Sequence, residues 1–116
     1  MDRRVVLGNA FSIGMLTGSV VLEFEKISVE RARELWNEGR NKVSVVGHQG
    51  TVELLKQLGF KDVQFNRVRF EKQRNDVLIV VQLKVRLQEG QVLSREQLEE
   101  MLKEGKIEFW VVREVQ

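Results

Sequence analysis

The chain has no cysteine and no proline, and it carries a single histidine among 116 residues. Without thiols there is no disulfide and no thiolate nucleophile. One histidine and no cysteine leave too few ligands for the usual zinc sites within one chain. A carboxylate-held magnesium ion stays open on composition, but no Asp/Glu cluster suggests it. No cofactor is therefore expected. No apolar run approaches the ~18 residues that a membrane span needs. The amino terminus, MDRRVVLGNAF, has two arginines but no long apolar region and no cleavage signal, so it does not read as a signal peptide. Net charge is only +2, too mild for a protein that coats duplex nucleic acid. These absences point to a cytoplasmic protein with no membrane or duplex partner, and a small anion held by a few arginines suits it better. The lack of proline and cysteine beside many Glu, Lys and Arg also hints at a thermophile.

What is present reads as one domain, residues 1–116. Hydrophobic residues make up 42% and charged residues 31%, the balance of a globular chain long enough for a core without staples. Residues 4–7 read as a first strand. Gly8-Asn9-Ala10-Phe11-Ser12 is a polar break before one helical turn around Ile13 to Leu16, which Asn9 and Ser12 can simply cap. A second strand is expected over 19–27. Ser28 can cap a helix whose inner face is Ala32, Leu35 and Trp36, ending at Gly39. Two strands follow later, 63–70 and 77–85, in hairpin arrangement around Gln73 to Asp76. The run VLIVV argues for a central strand covered on both faces, and the polar Gln82 in it needs a partner. Ser94 and Gln97 form an S-x-x-Q capping box for a helix with Leu98, Met101 and Leu102 inward. A last strand spans 107–115. The expected architecture is α/β: a mixed sheet of about five strands flanked by about three helices.

Between these elements lies KVSVVGHQGTVELLKQLG, residues 42–59. A β-branched run hands over through Gly47-His48-Gln49-Gly50 to an amphipathic helix with Val52, Leu54, Leu55 and Leu58 inward. His48 therefore sits at a strand-to-helix edge, where ligands bind in open α/β sheets and where helix N–H groups favour an anion. A lone histidine is not a motif, so a surface histidine in a tight turn explains the residues as well.

Four stretches, in this order and spacing, resemble one family: LGNAFSIGML (7–16), VGHQGT (46–51), FNRV (65–68) and VQLKVRLQEGQVL (81–93). The chain is similar along nearly its whole length to the small viral ring nucleases that act as type III anti-CRISPR proteins, and to their cellular relatives. The resemblance implies a homodimer that binds cyclic tetra-adenylate and cuts it without a metal. The products would be linear di-adenylates, formed through a 2′,3′-cyclic phosphate. It places His48 as the catalytic histidine, with Arg86 and Glu89 on the RLxEG motif completing the set. Asn9, Ser12, Gly47 and Arg67 would hold the ligand, with Gln82 a further contact. Gly14 and Gln88 depart from the family pattern without touching these positions. The chemistry is consistent: in-line attack by the 2′-OH needs geometry, and the departing 5′ oxygen needs a proton. Histidine can donate that proton near neutrality, and an arginine fork can grip the phosphoryl oxygens. Glu89 can orient the imidazole, or act as a base. Arg86 and Glu89 also fit a solvated strand-end ion pair. A non-catalytic protein that sequesters a cyclic nucleotide would use the same Asn, Ser and Arg residues without needing His48.

Overall fold

Strand β4 (Val77–Leu83) is the middle strand of a five-stranded sheet of order β2-β5-β4-β1-β3. The others are β1 (Arg4–Gly8), β2 (Leu22–Ile27), β3 (Asn41–Val45) and β5 (Ile107–Glu114). The computed structural model describes residues 3–87 and 90–115. Strands β4, β1 and β3 are mutually parallel, while β5 runs antiparallel to both β4 and β2. The helices are α1 (Val29–Asn37), α2 (Gln49–Gln57) and α3 (Arg95–Lys103). A 3-10 turn spans Ile13–Met15. The mixed five-stranded α/β sheet with three helices is the expected fold class, and strand ends moved by at most three residues.

Alternation along the strands sorts the apolar residues onto two faces. On one face, Val5, Leu7, Ile79, Val81, Phe109 and Val111 pack with Ala32 and Trp36 of α1, Val52, Leu54 and Leu55 of α2, and Leu98 of α3. Burying each large side chain there contributes about 1.5–3 kcal/mol. The other face receives no α-helix: Val6, Val45, Leu78, Val80 and Val112 pack with Phe70, Phe11 and Met15 from loops. VLIVV is thus covered on both faces, by helices on one and by loops on the other.

Capping follows local chemistry. The Ser28 hydroxyl accepts from the Arg31 N–H, and Ser94 with Gln97 forms the full reciprocal box. At the amino-terminal edge of the parallel strands, Arg4 donates to both carboxylate oxygens of Asp76, at 2.9 and 2.6 Å. That contact holds the Arg4 guanidinium above its ordinary value.

The expected hairpin does not form. Both edges of β4 are occupied, by β1 and by β5, so residues 63–70 have no strand edge to join. Val63 and Phe70 are buried anchors, but Phe65 and Val68 between them are exposed. The segment instead lies along the outer edge of β3. Phe65 makes a single parallel bridge with Val46. The Asn66 N–H donates to the Val46 carbonyl at 2.8 Å. The Asn66 side-chain amide donates to the Ser44 carbonyl at 2.9 Å, and the Ser44 hydroxyl donates to the Gln64 carbonyl at 2.6 Å. The sheet is mixed because of β5, not because of a hairpin.

Candidate functional site

The carboxyl ends of β1, β3 and β4 lie side by side, with Gly8 opposite both Val45 and Val80. Each strand delivers a polar residue there. Strand β1 runs out into Asn9, β3 through Gly47 into His48, and β4 into Lys84 and Arg86. Asn9, His48, Thr51, Lys84 and Arg86 line one cavity of about 420 Å³, floored by Val81, Leu83, Val85 and Leu87. Three sequence-distant motifs therefore meet in one hollow.

His48 is the N-cap of α2. Its backbone is extended, and its Nδ1 accepts from the Thr51 N–H at 3.3 Å. The Thr51 hydroxyl lies 3.3 Å from the same nitrogen. An imidazole nitrogen thus takes the place that a Ser or Asp oxygen usually fills. Because Nδ1 accepts a backbone N–H, the neutral ring carries its proton on Nε2. Gly50 makes this possible: a Cβ there would lie 3.0 Å from His48 Cε1 and 3.3 Å from Nδ1.

Asn9 does not cap the 3-10 turn. Its Oδ1 accepts from the Gly47 N–H at 3.1 Å, tying the end of β1 to the turn that carries His48. Gly47 in turn packs on Arg67, whose Cγ would lie 3.1 Å from a Cβ at position 47. Ser12 occupies the cap position of the 3-10 turn, but its hydroxyl makes no capping bond; it is exposed and lies outside the cavity lining. Gln82 is on the helix-free face, in a second cavity of about 490 Å³ shared with Asn9, Phe11, Phe24, Val80 and Trp110. It is exposed at the end of β4, so it does not need the buried partner expected of it. Arg67 and Arg86 are both exposed, and no carboxylate of the described residues pairs with either. Glu89 lies outside the described residues.

Two lining residues escaped the reading of the sequence. Thr51 stands three residues after His48, the spacing of an N-cap and its partner, but histidine is an uncommon cap. Lys84 stands two residues before Arg86 beyond the polar end of β4, and it contacts Glu108 at 3.5 Å. Glu108 also meets Lys26 at 2.8 Å, and the Lys26 contact holds its carboxyl below the usual range.

A family model described as STIV B116-like matches residues 5–110, which includes every candidate site residue. The chain belongs to the STIV B116-like family. This B116-like protein superposes on B116 of Sulfolobus turreted icosahedral virus with a TM-score of 0.86 at 32% identity, covering 95% of this chain and 98% of that one. It is 32% identical over 107 residues to ORF116 of Acidianus filamentous virus 1, 90% of each chain. It is also 32% identical over 82 residues to protein 26 of a Sulfolobus islandicus filamentous virus, 70% of this chain and 69% of that one. These B116-like relatives are proteins of archaeal viruses with thermophilic hosts. Among the described residues no helix is long and apolar enough to cross a membrane.

Proposed function

We propose that this B116-like protein is a ring nuclease that cleaves cyclic tetra-adenylate into linear di-adenylates. The observation that carries the reading is the meeting of His48, Arg86 and Asn9 around one cavity at the carboxyl edge of a parallel sheet. A ribose 2′-OH, losing its proton to Glu89 or to water, attacks the adjacent phosphorus in line, the bond from phosphorus to the 5′ oxygen breaks, and a 2′,3′-cyclic phosphate forms. The departing 5′ oxygen takes a proton from His48 Nε2. Arg86 neutralises the charge that builds on the phosphoryl oxygens. Glu89 orients the imidazole or serves as base. Asn9, Ser12, Gly47, Arg67 and Gln82 hold the ring. The reaction takes no cofactor and no metal, and it runs in the cytoplasm of the cell that makes the messenger.

A hollow of about 420 Å³ is of drug-ligand size, and a ring of four nucleotides is larger. A twofold dimer would supply two such hollows to a ligand with twofold symmetry. The helix-free face suits the contact: Phe24 is 48% exposed there and Trp110 partly so, beside the site that Asn9 shares. Two cuts on opposite phosphates then give two dinucleotides.

The second reading is sequestration without cleavage. Its support is specific: His48 already has a structural role as a helix cap. Incubation of the protein with labelled cyclic tetra-adenylate in EDTA separates the two. Di-adenylates ending in cyclic phosphate are expected. Retention of intact ring would favour sequestration, and activity restored only by magnesium or manganese would overturn the mechanism.

A further inference from the structure

We propose that Thr51 is the positioning residue that holds the His48 imidazole in place in both of its protonation states. The inference rests on the ring-nuclease reading for its consequence in catalysis, but not for its geometry. Thr51 is buried, at 3% exposure, within the first turn of α2. Both its N–H and its hydroxyl lie 3.3 Å from His48 Nδ1. No buried side-chain nitrogen or oxygen of the described residues lacks a partner, and the partner that the Thr51 hydroxyl has is this imidazole.

The two groups are not equivalent. A backbone N–H can only donate, so it serves the ring only while Nδ1 is a bare acceptor. A hydroxyl can donate or accept. With the ring neutral, the N–H caps through Nδ1 and Nε2–H faces the cavity. When the ring gains a second proton, Nδ1–H has to donate, and the Thr51 N–H cannot receive it. The hydroxyl can, by turning its oxygen lone pair to the ring. The imidazolium then stays over the helix end with Nε2–H aimed at the cavity. After Nε2 gives its proton to the leaving oxygen, the neutral ring keeps its proton on Nδ1, still donated to Thr51. Uptake of a solvent proton at Nε2 restores the acid.

Other charged groups stand around the ring. Lys84 and Arg86 line the same cavity from the segment after β4. Arg67 packs on Gly47 from the far side of the turn. Glu53, on the next turn of α2, accepts from the Gly90 N–H at 3.0 Å.

The test uses Thr51→Val, which removes the hydroxyl at nearly constant volume, and Thr51→Ser, which keeps it. His48 is the only histidine, so its ring signals are unambiguous in NMR. In the wild type with a neutral ring, ¹⁵N shifts should show Nδ1 as acceptor and Nε2 protonated. With the ring protonated, the wild-type Nδ1–H should be protected from solvent exchange and that of Thr51→Val should exchange faster, because it has no acceptor. Its single-turnover cleavage near neutrality should fall about tenfold, the worth of one hydrogen bond of ~1–1.5 kcal/mol, with ring affinity unchanged. Thr51→Ser should restore both. A neutral wild-type ring protonated on Nδ1, or a Thr51→Val Nδ1–H as protected from exchange as the wild type's, would overturn the proposal. If the wild type does not cleave the ring at all, the functional reading fails while the NMR arm still decides the role of Thr51. The tautomer measurement needs no variant, so a misfolded mutant does not remove the test.

Discussion

Gly50→Ala should leave the protein folded and slow its chemistry. An added Cβ would lie 3.0 Å from His48 Cε1, 3.3 Å from Nδ1 and 3.4 Å from Leu87 Cβ. Contacts this short require a neighbour to give by a few tenths of an ångström. Leu87 is buried and the His48 side chain is not, so the imidazole moves. Alanine gains up to about 1 kcal/mol over glycine in a helix, less in the first turn. Loss of the His48 cap costs about the same. Urea denaturation should therefore place the variant within about 1 kcal/mol of the wild type. Catalysis has no such compensation, because the ring leaves its position over the helix end. A 1 Å misplacement costs about 10²-fold and a few tenths of an ångström costs less, so single-turnover cleavage of cyclic tetra-adenylate should drop by up to about 10-fold. A folded Gly50→Ala protein cutting at the wild-type rate would show that the capped imidazole is not the reactive one.

Other substitutions separate binding, chemistry and stability. His48→Ala should lose ~10²–10⁴ in rate with ring affinity kept, and about 1 kcal/mol of stability from the lost cap; a near wild-type single-turnover rate would remove His48 from the mechanism. Arg67→Ala should instead weaken binding about 10- to 100-fold, as for a charged phosphate contact, and calorimetry showing unchanged affinity would contradict it. Glu108 is held ionised by Lys26 and Lys84, so its carboxyl lies below its usual value in the folded protein. A folded value below the unfolded one means that the unfolded chain binds more protons in that window. The stabilisation is therefore present above about pH 4.5, the ordinary value, and is lost as pH falls through the folded value. Glu108→Gln should be less stable than the wild type at about pH 6 and should approach it as pH falls through the folded value of Glu108; a difference in denaturation midpoint that stays constant through acid would refute the assignment.

Local chemistry was legible wherever one residue type has one job. Ser28 and Ser94 cap as their hydroxyls imply, and Val52, Leu54, Leu55 and Leu58 all face inward as their spacing demands. The apolar run in β4 correctly announced a middle strand. Residues 63–70 misled because their apolar residues serve anchoring rather than strand pairing: Val63 and Phe70 are buried while Phe65 and Val68 are not. Nothing local says that both edges of β4 are taken by strands from opposite ends of the chain. The placement of all three α-helices on one face was equally hidden, since Phe11 and Phe70 from loops and Met15 from the 3-10 turn cover the other with the same apolar chemistry. At the site, the handover at His48 was readable as a strand-to-helix edge. Its company was not, because Asn9 and Arg86 arrive from strands 38 or more positions away, and only the family resemblance linked them beforehand. Ser12 and Gln82 came from that resemblance too, and neither lines the His48 hollow.

The strip of hydrogen bonds between Ser44, Val46, Gln64 and Asn66 also governs aggregation. An outer parallel strand with bare carbonyls is a template for strand addition by any neighbouring chain. Here the Ser44 and Val46 carbonyls are already engaged by Asn66, and the Ser44 hydroxyl anchors Gln64. A foreign strand docking on β3 would first have to break three hydrogen bonds, a barrier of about 2–4 kcal/mol. At the opposite end of the sheet, Glu23, Glu25 and Lys26 put charge along β2, the usual deterrent to edge pairing. Hydrogen bonding along β3 on one side and charge along β2 on the other thus both oppose lateral growth of the sheet. Contacts between copies are left to the broad faces, where a twofold contact closes on itself and adds no further copies.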